Sequence, residues 1–238
     1  MISKDSIVPH SCADCKDVGD SFFCELKHQE LDEISINKTH KTYKKGQQIF
    51  LEGGFSSGLY CIKEGKIKIH KLGDLGKDQI VRLASKGDIL GYRSLLSNEV
   101  YKASATAMSN ATVCKISKQA FNNILSKNNQ LLFKTIQHLT QDLKGSEEKM
   151  MNMAQKPVRE RIAESILLLR NAFGTVDNGN LIDVSITRKE ISEIAGSTTE
   201  TTIRTISSFA KDGIIETIGK RIKVLNFKKL VSIANVLD

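Results

Sequence analysis

No stretch of the chain approaches the ~20 consecutive apolar residues that a membrane span requires, and the N-terminal region lacks the apolar run of a secretion signal. Both absences point to a cytoplasmic protein with no membrane partner. There is no Ser/His/Asp grouping, no phosphate-binding glycine loop and no pair of carboxylates that stands out, so the sequence offers nothing for an enzyme to work with. Proline is scarce: Pro9 and Pro157 are the two in 238 residues. Its absence between residues 42 and 115 leaves strands there free to pair, and its absence from 129 to 153 allows one long helix. Cysteine is sparse and odd in number, at five. Without a secretion signal that count argues against a disulfide framework.

A chain of this length accommodates two domains with real cores. At 40% hydrophobic and 26% charged it reads as globular. The net charge of +8 is compatible with a polyanionic partner. However, residues 154–238 hold 13 Lys/Arg against 10 Asp/Glu, so only +3 of the excess lies there. Local clusters, not net charge, must carry any nucleic-acid argument.

Four regions follow from the pattern. Residues 1–26 form a polar arm with Cys12, Cys15 and Cys24. Residues 27–128 begin with a short helix to about Ile36, with Leu26, Leu31 and Ile34 inward. Nine of the sixteen glycines then fall between Gly46 and Gly91. Short β-prone runs lie among them at Gln48–Leu51, Leu59–Ile62, Lys66–His70, Ile80–Leu83 and Thr112–Ile116. Ile67 and Ile69 alternate with Lys66, Lys68 and His70, the period of a half-buried strand. Many short strands with glycine turns predict a β-roll or sandwich, and a helix begins near Lys118. Residues 129–153 form a long helix with apolar Leu132, Ile136, Leu139, Leu143, Met150 and Met153. Their spacing is an a/d heptad in which Ser146 fills one slot. This is either a core-facing stripe or a dimer seam with a weak centre at Gly145 and Ser146. Residues 154–238 start with a helix from Pro157 to about Phe173, then a turn and a short strand at Leu181–Ile186.

The next segment reads as helix, glycine turn, helix. Thr187-Arg188-Lys189-Glu190 is a capping box, Ile191, Ile194 and Ala195 give an apolar face, and Gly196 ends the helix. A second helix starts after Ser197 or Thr198 and ends at Gly213, with Ile203, Ile206 and Phe209 carrying its periodicity. This spacing is that of a helix-turn-helix. Residues 214–224 then form a hairpin, or wing, turning at Gly219-Lys220 and bearing Lys220, Arg221 and Lys223. Beside a recognition helix such cations fit phosphates. Arg188, Thr198, Thr199, Glu200, Ile203, Arg204, Lys220 and Arg221 are the candidate DNA contacts. Arg pairs bidentately with guanine, Glu accepts from cytosine N4, and Thr or Ile packs on a thymine methyl. Glu200 and Arg204, four apart, also suit an intrahelical ion pair.

The segment "ITRKEISEIAGSTTETTIRTISSFAKDGIIETIGKRIKV" resembles the winged helix-turn-helix of the CRP/FNR regulators. "LYCIKEGKIKIHK", "KGDILGYRSLL" and "ATVCKIS" resemble that family's cyclic-nucleotide-binding-like β-roll. The resemblance runs from about Cys12 onward. It implies an α+β architecture of N-terminal β-roll, long dimerisation helix and C-terminal winged helix-turn-helix. It also implies a homodimeric transcription regulator on double-stranded DNA, with RNA polymerase as a further partner. Glu200 and Arg204 fall where the family reads bases. Thr199 departs from the arginine of the CRP branch, which implies a palindromic, TTGA-like site of the FNR type, and Ile203 departs from the serine common in the FNR branch. The cyclic-AMP branch needs Gly-Glu and Arg-Ser at its phosphate pocket. This chain has Gly91-Tyr92 and Lys102-Ala103, and lysine does not reproduce the arginine fork, so the match implies no cyclic-AMP site.

Cys12 and Cys15 have the C-x2-C spacing that brings two thiolates to one metal. Cys24 follows after eight intervening residues, and Cys114 lies in "ATVCKIS". The FNR branch uses three arm cysteines and one distant roll cysteine for a [4Fe–4S] cluster, which implies ligation by Cys12, Cys15, Cys24 and Cys114, with a longer gap before the third. Three readings stand: an oxygen- or nitric-oxide-labile [4Fe–4S] cluster, a four-thiolate zinc site, or a metal-free arm with redox-active thiols. Cys61 reads as a small buried residue and His10 as a tail histidine near the arm thiols. The expected mechanism ties arm to roll, biases the seam at Ser146 toward the dimer, and sets two recognition helices ~34 Å apart. The alternative is a sensor acting through a protein partner.

Overall fold

The computed structural model describes residues 22–23, 26–73, 76–176 and 179–236, and Cys12, Cys15, Cys24 and His10 lie outside them. The order begins with α1 (His28–Ile36). Eight strands and two helices follow: β1 (Lys38–Tyr43), β2 (Gln48–Phe50), β3 (Gly58–Glu64), β4 (Ile67–Leu72), β5 (Asp78–Ala84), β6 (Ile89–Leu90), α2 (Tyr92–Leu96), β7 (Ser104–Ala107), β8 (Ala111–Ser117) and α3 (Lys118–Lys127). The strands form two antiparallel sheets, β1-β8-β3-β6 and β2-β7-β4-β5. This is the β-roll, and alternation along its strands feeds two separate cores. Tyr60, Ile62, Ile67, Ala105 and Val113 fill the space between the sheets. Leu59, Ile89 and Ile116 face outward from the first sheet and are covered by Leu31 and Ile34 of α1, Phe121 and Ile124 of α3, and Phe22 and Leu26. Gly65, in the β3–β4 turn, has φ +104°, and a Cβ there would lie 2.5 Å from the Ala111 Cβ, so the turn admits only glycine.

The long helix α4 (Asn129–Gln155) extends two residues past the expected end. Asn128 caps it, its side chain accepting from the Leu131 N–H at 2.9 Å. Among the described residues no helix is long and apolar enough to cross a membrane. The chain continues through α5 (Val158–Phe173), β9 (Thr175–Val176), β10 (Leu181–Ile182), α6 (Arg188–Ala195), α7 (Thr199–Lys211), β11 (Ile215–Ile218), β12 (Arg221–Val224) and α8 (Phe227–Ala234). The strand expected over residues 181–186 stops at Ile182. The Val184 N–H turns back to the Ile182 carbonyl, and Val184 and Ile186 bury their side chains from irregular backbone. Strands β9 to β12 pair in the order β11-β12-β10-β9. Ile166, Leu169, Ile191, Ile206, Phe209 and Leu230 centre this second domain, and Ile80 and Met108 of the roll belong to the same buried cluster. The two domains therefore share a continuous apolar contact.

A candidate nucleic-acid interface and the sensor that faces it

The helix-turn-helix is assembled by local chemistry. The Glu190 N–H donates to Thr187 Oγ1 at 3.1 Å, and the Thr187 N–H donates to Glu190 Oε2 at 2.9 Å, closing the capping box. Burial of Glu190 works against its charge, but the Thr187 N–H and the Lys68 ammonium outweigh it and hold the carboxyl below its ordinary value. Gly196 takes the left-handed conformation at φ +60°. Thr198 caps α7 by accepting from the Thr201 N–H at 3.2 Å. Thr202, Ile206 and Phe209 face inward from α7.

The outward face of α7 carries Glu200, Ile203 and Arg204, all exposed. Thr199 is half-buried, with its hydroxyl 3.4 Å from that of Ser192. Glu200 is held below the usual carboxylate range by its own backbone N–H and the Thr198 hydroxyl, with smaller effects from Lys77 and Arg204. It makes no ion pair with Arg204 among the described residues, and both side chains are exposed on this face. Arg188 is half-buried at the first position of α6, and Thr198 is exposed at the start of α7. The wing is the β11–β12 hairpin, with Ile218 opposite Arg221. Lys220 and Arg221 are exposed at its turn, and the Lys220 carbonyl accepts from the Ile186 N–H at 2.8 Å, which fixes the wing beside the entry to α6.

Several positioning residues escaped the sequence reading. The Arg161 guanidinium donates to the Met153 carbonyl at 2.6 Å and to the Gly196 carbonyl at 3.3 Å, joining the end of α4 to the turn between α6 and α7. Arg159 donates to Ser208 at 3.0 Å and pairs with Asp212 at 3.3 Å, bracing the far end of α7. From the roll, Lys68 meets Glu190 at 3.0 Å and Glu193 at 3.7 Å, and Lys66 meets Asp183 at 2.6 Å. The Gln79 amide donates to the Glu193 carbonyl. The lysines were visible as the polar side of an alternating strand, but partners more than a hundred residues away have no local signature.

A cleft of about 1200 Å³ lies between the roll, α4 and α5. Gly91, Tyr92, Lys102 and Ala103 line it together with Arg82 and Asp142. Tyr92 is buried, and its hydroxyl bonds to Asp142 of α4 and accepts from Arg82 at 2.7 Å. Burial pushes its phenol well above the ordinary range. Arg82 is committed as well, to Asp142 at 3.3 Å and the Ile89 carbonyl at 3.1 Å. Lys102 is exposed. The cleft thus holds an internally satisfied Tyr–Asp–Arg network.

Along α4, Leu132, Ile136, Leu143 and Met150 are 39%, 49%, 60% and 70% exposed, and Ser146 is exposed among them. The two other stripe residues are half-buried in their own chain. Leu139 packs on the cluster outside the first sheet. Met153 points at the helix-turn-helix, its Cε 2.6 Å from where a Gly196 Cβ would stand.

Of the four candidate metal ligands, Cys114 is within the described residues. It is 3% exposed, and its Sγ lies 3.2 Å from His40 Nδ1. Cys114 shares its face of the sheet with Ile116, which belongs to the cluster that contains Phe22 and Leu26. In sequence Cys24 lies one residue from Phe23 and two from Leu26, and Phe22 and Leu26 are buried in the cluster on the face that presents the Cys114 sulfur. By its chemistry alone, a set of four cysteines suits a thiolate-ligated centre. Among the described residues alone, no three His, Cys, Asp or Glu side chains gather as a metal site.

The model of the cyclic nucleotide-binding domain matches residues 40–128, and that of the Crp-like helix-turn-helix domain matches residues 160–233. The chain is 27% identical over 227 residues to the fumarate and nitrate reduction regulatory protein of Vibrio cholerae, covering 93% of this chain and 90% of that protein. It is 25% identical to the transcriptional activator protein FnrA of Stutzerimonas stutzeri, covering 93% of each. Among solved structures, FixK2 from Bradyrhizobium japonicum superposes with a TM-score of 0.75 at 22% identity, over 84% of this chain and 99% of that one.

Proposed function

The chain belongs to the CRP/FNR family of transcription regulators, nearer its FNR branch, and from that premise we propose that it binds a palindromic, TTGA-like site as a homodimer, under control of a cysteine-ligated centre on the arm-facing side of the roll. The observation that carries the DNA reading is the exposure of Glu200 and Arg204, not paired with each other, in the first half of a capped α7. Residues at that end of a recognition helix reach base edges, and exposed Lys220 and Arg221 suit the flanking phosphates. Arg204→Ala is expected to cost ~1–3 kcal/mol on the specific site and to relax one base position. Arg221→Ala is expected to weaken all sequences alike and to flatten the salt dependence. Fluorescence anisotropy on specific and scrambled duplexes at several salt concentrations separates the two. Identical behaviour of both variants overturns the division of roles.

The exposed stripe Leu132, Ile136, Leu143 and Met150 is the proposed dimer seam, with Ser146 as its weak centre. Two copies joined there present recognition helices ~34 Å apart. RNA polymerase is the expected further partner by family, and the cytoplasm the expected compartment.

For the sensor, Cys12, Cys15, Cys24 and Cys114 are the proposed ligands. When bound, a [4Fe–4S] group supplies a crosslink that oxygen or nitric oxide breaks. The chain's own part is to hold the arm on the outer face of the first sheet through Phe22 and Leu26, beside α4, so that docking the arm stabilises the seam. The name of the V. cholerae relative, a regulator of fumarate and nitrate reduction, agrees with an oxygen-linked signal. Cyclic AMP is not the proposed ligand, because Tyr92 occupies the place of the required carboxylate and is locked to Asp142. Anaerobic purification with iron, sulfide and zinc analysis, and spectra before and after air, tests the centre. A metal-free protein that binds its site with full affinity overturns it.

A further inference from the structure

Cys114 sits at the middle of three side chains that cross the outer face of the first sheet: His40 on β1, Cys114 on β8 and Cys61 on β3. Directly opposed residues in an antiparallel sheet point to one face. The two neighbours of Cys114 are nevertheless not equivalent. On β3, the Ile62 N–H donates to the Asp88 carbonyl and the Ile62 carbonyl accepts from the Gly87 N–H, so Ile62 turns its polar groups toward β6. Successive residues alternate, so those of Cys61 point to β8, and Cys61–Cys114 is a hydrogen-bonded pair with Cα atoms about 5.5 Å apart. Cys114 then directs its own backbone groups at β3. Its pairing with His40 is therefore the non-hydrogen-bonded kind, about 4.5 Å between Cα atoms with side chains closer. The 3.2 Å contact between His40 Nδ1 and Cys114 Sγ is what that geometry produces. Cys61, across the wider pair, packs instead on the apolar cluster.

We propose that His40 is a positioning residue for the metal centre, its Nδ1–H donating to the Cys114 sulfur. This rests on the thiolate centre proposed above. A sulfur bonded to a metal carries no proton and only accepts, so the ring nitrogen must be the donor. The hydrogen bond fixes the direction of the ligand and stabilises its charge, as partners behind metal ligands do. His40 is exposed on an edge strand, whereas Cys114 is buried. The imidazole therefore meets solvent beside a sulfur that does not.

The test uses the full chain purified without air, as wild type, His40→Leu and His40→Asn. Asparagine can place an N–H close to the position of Nδ1, and leucine cannot. Metal content, the thiolate-to-metal absorption band, and the rate of metal release to a chelator are measured. Wild-type metal content in His40→Leu is expected, with a shifted band and release faster by about 10-fold, both returning toward wild type in His40→Asn. If His40→Leu matches wild type in band and release, the role of His40 is overturned and the centre stands. If His40→Asn behaves as His40→Leu, the hydrogen bond is overturned in favour of ring shape. If all three chains are free of metal, the centre falls and the inference falls with it.

Discussion

Lys149 lies inside the cleft below the long helix, its ammonium donating to the Ile80 carbonyl at 2.6 Å. Burial lowers its pKa to about 8 from 10.5, against a smaller opposing pull from Glu164. Below about pH 8 the lysine is charged in both folded and unfolded chains, and the folded state bears the burial cost. Between about pH 8 and 10.5 the folded chain releases the proton while the unfolded chain keeps it, so stability rises through that window. Lys149→Met is expected to raise stability at pH 7 by up to about 3 kcal/mol and to remove the rise toward pH 10, as read by urea unfolding at both values. A variant less stable than wild type at pH 7 shows that the bond to Ile80 outweighs the burial cost. His40 belongs to this scale too, and it shows where sequence reading stops. Cys114 was legible from "ATVCKIS", but its neighbour lies 74 residues earlier and is set by register, which no local pattern displays.

Among elements, the helix-turn-helix was the most legible because its signals are local: a capping box, a glycine in the left-handed region and an inward stripe. Thr187→Ala is expected to cost about 1 kcal/mol of unfolding free energy, seen as a lowered thermal midpoint. Gly196→Ala is expected to cost about 1–2 kcal/mol through its positive φ. The strands that went unread lack such signals. Strand β7 reads Ser-Ala-Thr-Ala, and all four residues are buried, so no alternation exists to detect. Strand β1 is a polar edge with a single buried residue, Tyr43. Helix α8 was passed over after the wing although it has local signals, an Asn226 cap, Asn235 in the left-handed region, and Leu230 and Ala234 inward. The long helix was legible in extent, but its heptad joins two environments. Leu139 and Met153 serve their own chain, whereas Ile136 and Leu143 lie open. Ile136→Asp and Leu143→Asp are expected to yield monomers in sedimentation velocity and to lose specific DNA binding. Ser146→Leu is expected to tighten the dimer, as filling a polar seam position does. Dimers unaffected by all three place the interface elsewhere.

At the scale of the molecule, the roll and the reading head meet through a polar grip around a shared apolar contact. Lys68 is the centre of that grip, holding Glu190 and Glu193 where burial raises the Glu193 pKa and Lys68 opposes the rise. Lys68→Ala leaves the largely buried Glu190 without its cation and Glu193 with Lys189 alone. It is expected to destabilise the chain by on the order of 2 kcal/mol and to increase amide exchange in α6 before α8. Uniform exchange across the second domain would mean that the grip does not orient the head.

The Arg161 fork bears on how far such a protein can be taken apart. One side chain ties the last turn of the long helix to the glycine elbow of the reading head, and Gln79, Lys66 and Lys68 reach that head from the roll. A reading head moved onto a foreign sensor keeps Arg161 and the elbow but leaves those roll contacts behind. Portability therefore depends on the β4–β5 hairpin and the preceding Lys66 travelling with the head, so the smallest transplantable unit is discontinuous in sequence: residues 66–84 together with everything from the end of the long helix onward.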